Sequence, residues 1–191
     1  MNKRVLAAVA MGMLMVSTPV MAQDEAALVA ESRTAVKSLF GKLKSTLMAG
    51  MKAGGPPVAM HVCNTAAKGI GKIASKQYGG TVARTSLKPR NANNAPDGWE
   101  TKVLQAFEAR LAKGEDAKKM EHHEVVEMDG KRVFRYMKAI PTAAKPCLMC
   151  HGEKLSPKLV ALLDEKYPED RARGYKAGMI RGAFTLQKEM K

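Results

Sequence analysis

Residues 123–140 read "HEVVEMDGKRVFRYMKAI". Two runs rich in β-branched and aromatic residues flank Asp129-Gly130, a pair that accepts the positive φ needed at both centres of a two-residue turn, so the stretch predicts an antiparallel hairpin. Just beyond it, residues 147–152 read "CLMCHG" and hold two of the chain's three cysteines. The hairpin makes an antiparallel sheet the first expectation for the fold.

Outward from the hairpin the apolar period changes. Before it, Val36, Leu39, Phe40, Leu43, Leu47 and Met51 recur at helical spacing and predict a helix from Asp24 to Met51, broken at Gly54 and Gly55. A second helix should start after Pro56 and Pro57 and end at Gly79 and Gly80, with Val62, Cys63, Ala66, Ala67, Ile70, Ile73 and Ala74 on its apolar side. Thr81 to Ser86 reads as a strand, followed by a loop rich in Asn and Pro. Asp97 and Glu100 fit a capping box opening a helix through Val103, Leu104, Phe107 and Leu111, which Gly114 closes. After the cysteine motif, Ser156 as N-cap and Pro157 at the first helical position start a short helix through Lys166. A last strand from Met179 to Leu186 completes the sheet. The expected class is α+β, with helices flanking an antiparallel sheet.

The N-terminus, "MNKRVLAAVAMGMLMVSTPVMA", has a basic start at Lys3 and Arg4, an apolar run from Val5 to Val16, and small residues before Ala22. That pattern predicts a signal peptide over residues 1–22, cut so that Gln23 comes first. An uncleaved anchor is the competing reading, although the apolar run is shorter than the roughly 20 residues a spanning helix needs. Residues 23–191 then form a single domain in the periplasm, since "GGPPV" at 54–58 is too short to be a linker and no repeat appears. The formal charge of the 191-residue chain is +14. Export removes nucleic acid as the partner of such a basic surface. What remains is an acidic redox protein, an anionic membrane surface, or a solvated surface with no partner.

CxxCH is the attachment signature of c-type haem, in which two thiols add across the porphyrin vinyl groups and the adjacent histidine turns to the iron. Cys147 and Cys150 would carry one covalent haem c, and His151 would be its proximal iron ligand. A thioredoxin-like dithiol fits less well, because that pair opens a helix after a βαβ strand, whereas this one follows Pro146 beyond a hairpin. Structural zinc would need Cys63, Cys147, Cys150 and a histidine around one small ion, although Cys150 and His151 are neighbours. A plain disulfide would leave one cysteine odd in an oxidising compartment.

The third cysteine lies far upstream in "HVCNTAA". At about 100° per residue, His61 and Cys63 point some 200° apart, so only one of them can face a buried group, and Cys63 is on the apolar stripe. A small inert hydrophobe and an iron ligand are both open to it from the residues alone. Arg84, Arg90 and Arg135 are candidates for haem propionates, or else solvated and capping arginines. Asn91, Asn93 and Asn94 should brace their own loop. Trp99, Phe134 and Tyr136 read as core, and His122 and His123 as exposed.

From about Met60 to Phe184 the chain resembles the single-haem c-type sensor domains of bacteria. The stretches that carry the resemblance are "HVCNTAA", "ARTSLKPRNANNAPDGWE", "FRYMKAIPTAAKPCLMCHG" and "GMIRGAFTL". The resemblance implies a PAS-like fold with haem between the sheet and the Cys63 helix. It also implies that Cys63 thiolate (distal) and His151 (proximal) bind the iron together.

Two roles follow as expectations. One is redox or gas sensing of NO, CO or O2, because thiolate favours Fe(III) and its release from Fe(II) would open a site. The other is periplasmic electron transfer, which the absence of a fused transmitter favours but the labile Fe–S bond does not. With no acid/base pair to place beside the iron, enzymatic turnover is not expected.

Overall fold

The computed structural model describes residues 20–190, with side chains considered from Glu25 onward. The leader expected at residues 1–22 lies outside this range except for its last three residues, whose backbone opens the first helix.

The helical element α1 (Val20–Tyr78) is two helical arms joined at Gly54 and Gly55, where φ/ψ leave the helical region. Gly55 takes φ +71°, which glycine reaches without steric cost. Pro56 and Pro57 follow, at the start of the second arm, where a missing N–H is no loss. The arms fold back on one another. Ser32 of the first is hydrogen-bonded to the Tyr78 hydroxyl at the end of the second, 2.9 Å apart. Near the bend, a Cβ on Gly50 would come within 2.6 Å of Ala59 Cα, so only glycine allows this approach. The two predicted helices are therefore an antiparallel pair.

The strands are β1 (Thr81–Thr85), β2 (Glu121–Met128), β3 (Lys131–Pro141) and β4 (Ile180–Glu189). They form one antiparallel sheet in the order β1-β4-β3-β2. Asp129 and Gly130 turn the β2–β3 hairpin with φ of +52° and +73°, as the Asp-Gly pair requires. This is the expected α+β class.

Alternation along the strands sends side chains to two different cores. Phe134, Tyr136, Phe184, Leu186 and Val82 meet Val29, Val36, Leu39, Ala74 and Tyr78 of α1. Met137, Ala139, Ile180 and Ala183 meet Val103, Leu104 and Phe107 of α2 (Gly98–Ala112). Both halves of the predicted capping box open α2: Glu100 N donates to Asp97 at 2.7 Å and Asp97 N to Glu100 at 3.1 Å. Ser156 caps α4 (Pro157–Lys166), accepting from Leu159 N.

Two expectations of burial need correction. Ile73, placed on the apolar side, is 52% exposed, and Phe40 is half-exposed, its ring edge resting on Phe184. In an antiparallel helix pair lying on a narrow sheet, the apolar stripe is wider than the surface available to cover it. Among the described residues no helix is long and apolar enough to cross a membrane.

Candidate functional site

Cys147, Cys150 and His151 are gathered by one short helix, α3 (Leu148–His151), with Cys147 as its N-cap. One helical turn separates the two cysteines, which puts both thiols on one side. His151 N and Cys150 N both donate to Cys147 O, at 2.9 and 3.2 Å. Gly152 ends the turn because a Cβ there would sit 2.5 Å from Leu148 O.

The segment after α4 pins the imidazole. Tyr175 N donates to His151 O at 2.9 Å, and Gly174 N to Gly152 O at 3.1 Å. The ring nitrogen His151 Nδ1 is 2.8 Å from Ala172 O. A carbonyl can only accept, so Nδ1 carries the proton and Nε2 keeps a free lone pair. Burial, together with Arg90 and Arg181, lowers the imidazole pKa to about 3. It is a neutral base with one nitrogen oriented and the other available.

Arg90 holds this arrangement from the loop after β1. Its Nη2 donates to Cys150 O at 2.6 Å and Ala172 O at 3.3 Å, while its Nε meets Asp170 at 3.2 Å. Asp170 also accepts from Ala172 N and Arg173 Nε. Arg90 thus clamps the backbone around His151 through its Nε and Nη2.

Cys63 approaches from the second arm of α1. One turn earlier, Met60 packs with Leu159 and Leu163 of α4 and with Cys150, Leu155, Leu162 and Tyr167. Cys63 itself is half-buried rather than fully enclosed, a second correction to the apolar stripe, and His61 is exposed. Burial raises the Cys63 thiol pKa and Arg84 opposes that. Burial likewise raises Cys150, whose thiol also feels Cys63. All three cysteines are free. Among the described residues no three His, Cys, Asp or Glu side chains converge as a direct metal cluster, so the zinc-type set is absent.

The predicted arginines separate. Arg84, on β1, is half-buried beside Cys63 and Tyr167, and desolvation lowers its pKa. Arg135 is taken up by carboxylates at the start of α2, which corrects its candidacy for propionates. It faces α2, bonded to Asp97 at 2.7 Å and Glu100 at 3.4 Å, with its guanidinium 4.2 Å from the Trp99 ring centre. Strand alternation decides this, because Arg135 points opposite to Phe134 and Tyr136. Those two are fully buried, but in the core under α1, and Trp99 is only half-buried, its indole N–H donating to Glu124. Asn91 accepts from Asn93 N at 3.0 Å, bracing its loop as expected, and His122 and His123 are exposed.

Arg181 was missed. Its Nη1 donates to Ser86 Oγ at 2.9 Å and Lys88 O at 3.2 Å, and its Nε lies 3.3 Å from His151 Nδ1. A cation inside the otherwise apolar stretch "GMIRGAFTL" was the available signal. The chemistry of the donor set fits a covalently attached, axially ligated macrocycle. It offers two adjacent thiols, a histidine with Nε2 free, a third thiol near Cys150, and partly buried cations beside both candidate axial side chains.

The comparisons agree with the fold. The crystal structure of the cyanobacterial heme-protein Tll0287 superposes with a TM-score of 0.61 at 24% identity, covering 84% of this chain and 96% of that one. No curated protein matches the chain significantly. The family model described as Tll0287-like matches residues 16–188, and the chain belongs to that family.

Proposed function

We propose that this chain is an exported haem protein carrying one covalent haem c on Cys147 and Cys150, with His151 and Cys63 as its two axial side chains. The observation that carries the proposal is the His151 imidazole. Its Nδ1–H is held by Ala172 O at 2.8 Å within one turn of two free cysteines, which leaves Nε2 aimed as a ligand. The solved relative named a heme-protein supports the cofactor class. Haem, when bound, would supply a one-electron couple and, once an axial side chain leaves, an iron position for small diatomic gases.

The residues divide the work. Cys147 and Cys150 fix the group covalently, so it stays attached if an axial side chain lets go. Arg90 and Asp170 immobilise the backbone on both sides of His151, making that histidine the fixed ligand. Cys63 sits on a separate arm, half-buried, with no hydrogen bond of its own among the described residues, and suits a ligand that can be released. A fixed ligand opposite a releasable one favours redox or gas sensing in the periplasm, with NO, CO or O2 as the ligand class.

A second reading, periplasmic electron transfer, is favoured by a separate observation. From Arg33 to Tyr78 the α1 pair has eight Lys and Arg, all exposed, and not one Asp or Glu. Such a one-signed surface on the α1 pair suits transient docking of an acidic redox partner or an anionic membrane.

Protein made with a haem-attachment system should show the matured mass plus one haem that survives acid–acetone extraction. Cys63→Ala should keep that haem, change the ferric low-spin EPR signal, and make ferric ligand binding easier. Extractable haem would refute covalent attachment. A wild-type ferric spectrum in Cys63→Ala would remove the switch and leave electron transfer.

A further inference from the structure

Beside the cysteine motif lies a surplus of partly buried positive charge. Of the cations there, Arg90 and Arg173 share Asp170, Arg173 also pairs with Asp164, and Lys88 donates to Arg173 O at 2.9 Å. Arg84 and Arg181 have no carboxylate at all among the described residues.

Arg84 is half-buried and the less satisfied of the two. It stands on β1 in register with Phe184, on the face covered by α1, next to Cys63 and Tyr167, with no hydrogen bond or ion pair to any described residue. Arg181 is half-satisfied. Its Nη1 has Ser86 and Lys88, and its guanidinium lies over the Tyr175 ring at 5.4 Å. Its Nε, however, points at His151 Nδ1, a nitrogen whose proton is already given to Ala172 O. Two N–H donors cannot satisfy one another. A partly buried guanidinium without a carboxylate is short of acceptors, and guanidinium forks match carboxylates in geometry.

Resting on the haem reading above, we propose that Arg84 and Arg181 together form a dianion site beside His151 and Cys63 that receives the two propionates of the haem. Two separated monocations call for two separated carboxylates on one rigid frame, and a porphyrin edge carries such a pair. The arrangement also assigns each cation to one axial side chain: Arg84 to the side of Cys63, Arg181 to the side of His151. Arg135, the sequence candidate on the opposite face, takes no part.

The test uses the haem-loaded protein and its Arg84→Gln, Arg84→Lys and Arg181→Gln variants, with mass, resonance Raman spectra and redox titration read on each. The mass should stay that of one covalent haem throughout. In both Gln variants the propionate bending bands should shift. Losing a buried cation should also favour the ferric form by about tenfold at fixed potential, or about 59 mV for a one-electron couple. Arg84→Lys, which keeps the charge but not the fork, should restore most of the potential while leaving the band shifted.

Unmoved bands and potentials in haem-loaded Gln variants would overturn the assignment and leave the haem reading standing. If acetate or phosphate added to wild-type protein moves its potential but not that of Arg84→Gln, the site takes a free anion, and the propionate assignment is wrong. Protein without haem by mass would overturn the haem reading and this assignment together.

Discussion

Arg135 and Arg84 are both strand arginines pointing inward, but on opposite faces of the same sheet. On the α2 face Arg135, 4% exposed, finds Asp97, Glu100 and the Trp99 ring, and Glu100 also accepts from Thr185 Oγ1 at 2.6 Å. On the α1 face Arg84 finds a thiol and a tyrosine and no acid. The lining helices explain the difference. The capping box of α2 brings two carboxylates to its first turn, whereas no acidic residue occurs from Arg33 to Pro96, a span that includes the whole second arm of α1. A buried cation answered from within the chain is part of the scaffold. One left unanswered beside the candidate ligands points to a charge brought by something the protein binds.

The largest effect should come from the answered cation. Arg135→Ala would leave Glu100 buried without its partner, and breaking such a pair costs about 3 to 5 kcal/mol. Urea unfolding should show that loss, with the ferric haem spectrum unchanged. A cost under about 1 kcal/mol would mean the α2-face network is ornamental, and the contrast with Arg84 would fail.

Next comes a second internally answered charge, at the sheet edge. Glu121 bonds Arg33 of the first α1 arm and accepts from the Tyr136 hydroxyl at 2.7 Å. Arg33 above all, against the opposing effect of burial, and with help from Tyr136 and Lys138, lowers its pKa from 4.5 to about 2. A carboxyl whose folded pKa lies below its unfolded one stabilises fully above the unfolded value and loses that stabilisation as pH falls through the folded one. Wild-type stability should therefore decline between about pH 4.5 and pH 2. Glu121→Gln should be less stable by about 2 to 3 kcal/mol at pH 7 and lack most of that acid-side slope in denaturant titrations.

The smallest effect, and the one of opposite sign, belongs to Arg84. In protein made without haem attachment, Arg84→Gln removes a half-buried charge that has no carboxylate partner. It should leave stability unchanged or raise it by about 1 kcal/mol. A loss as large as that of Arg135→Ala would show that Arg84 is already answered by the chain, erasing the distinction between the two faces.

What the sequence determined by itself was whatever is settled within a few residues. Asp129-Gly130 set the hairpin because its turn needs two positive φ values, and Gly54-Gly55 before two prolines set the helix break. Asp97 with Glu100, and Ser156 with Pro157, set helix starts because each cap bonds a backbone N–H within one turn. Cys147, Cys150 and His151 were legible as a candidate site for the same reason: one turn of helix brings them together wherever the rest of the chain goes.

Tertiary structure decided everything that depends on which face a residue meets. Arg135 and Arg181 are equally charged in sequence, but strand register sends one to Asp97, 38 residues away, and the fold brings the other to Ser86, 95 residues away. The half-exposure of Cys63, the exposed Ile73 and the carbonyl of Ala172 on His151 likewise follow from contacts between distant segments. Helical or strand periodicity gives a side chain its direction. What waits in that direction is fixed only when α1 closes over one face of the sheet and α2 over the other.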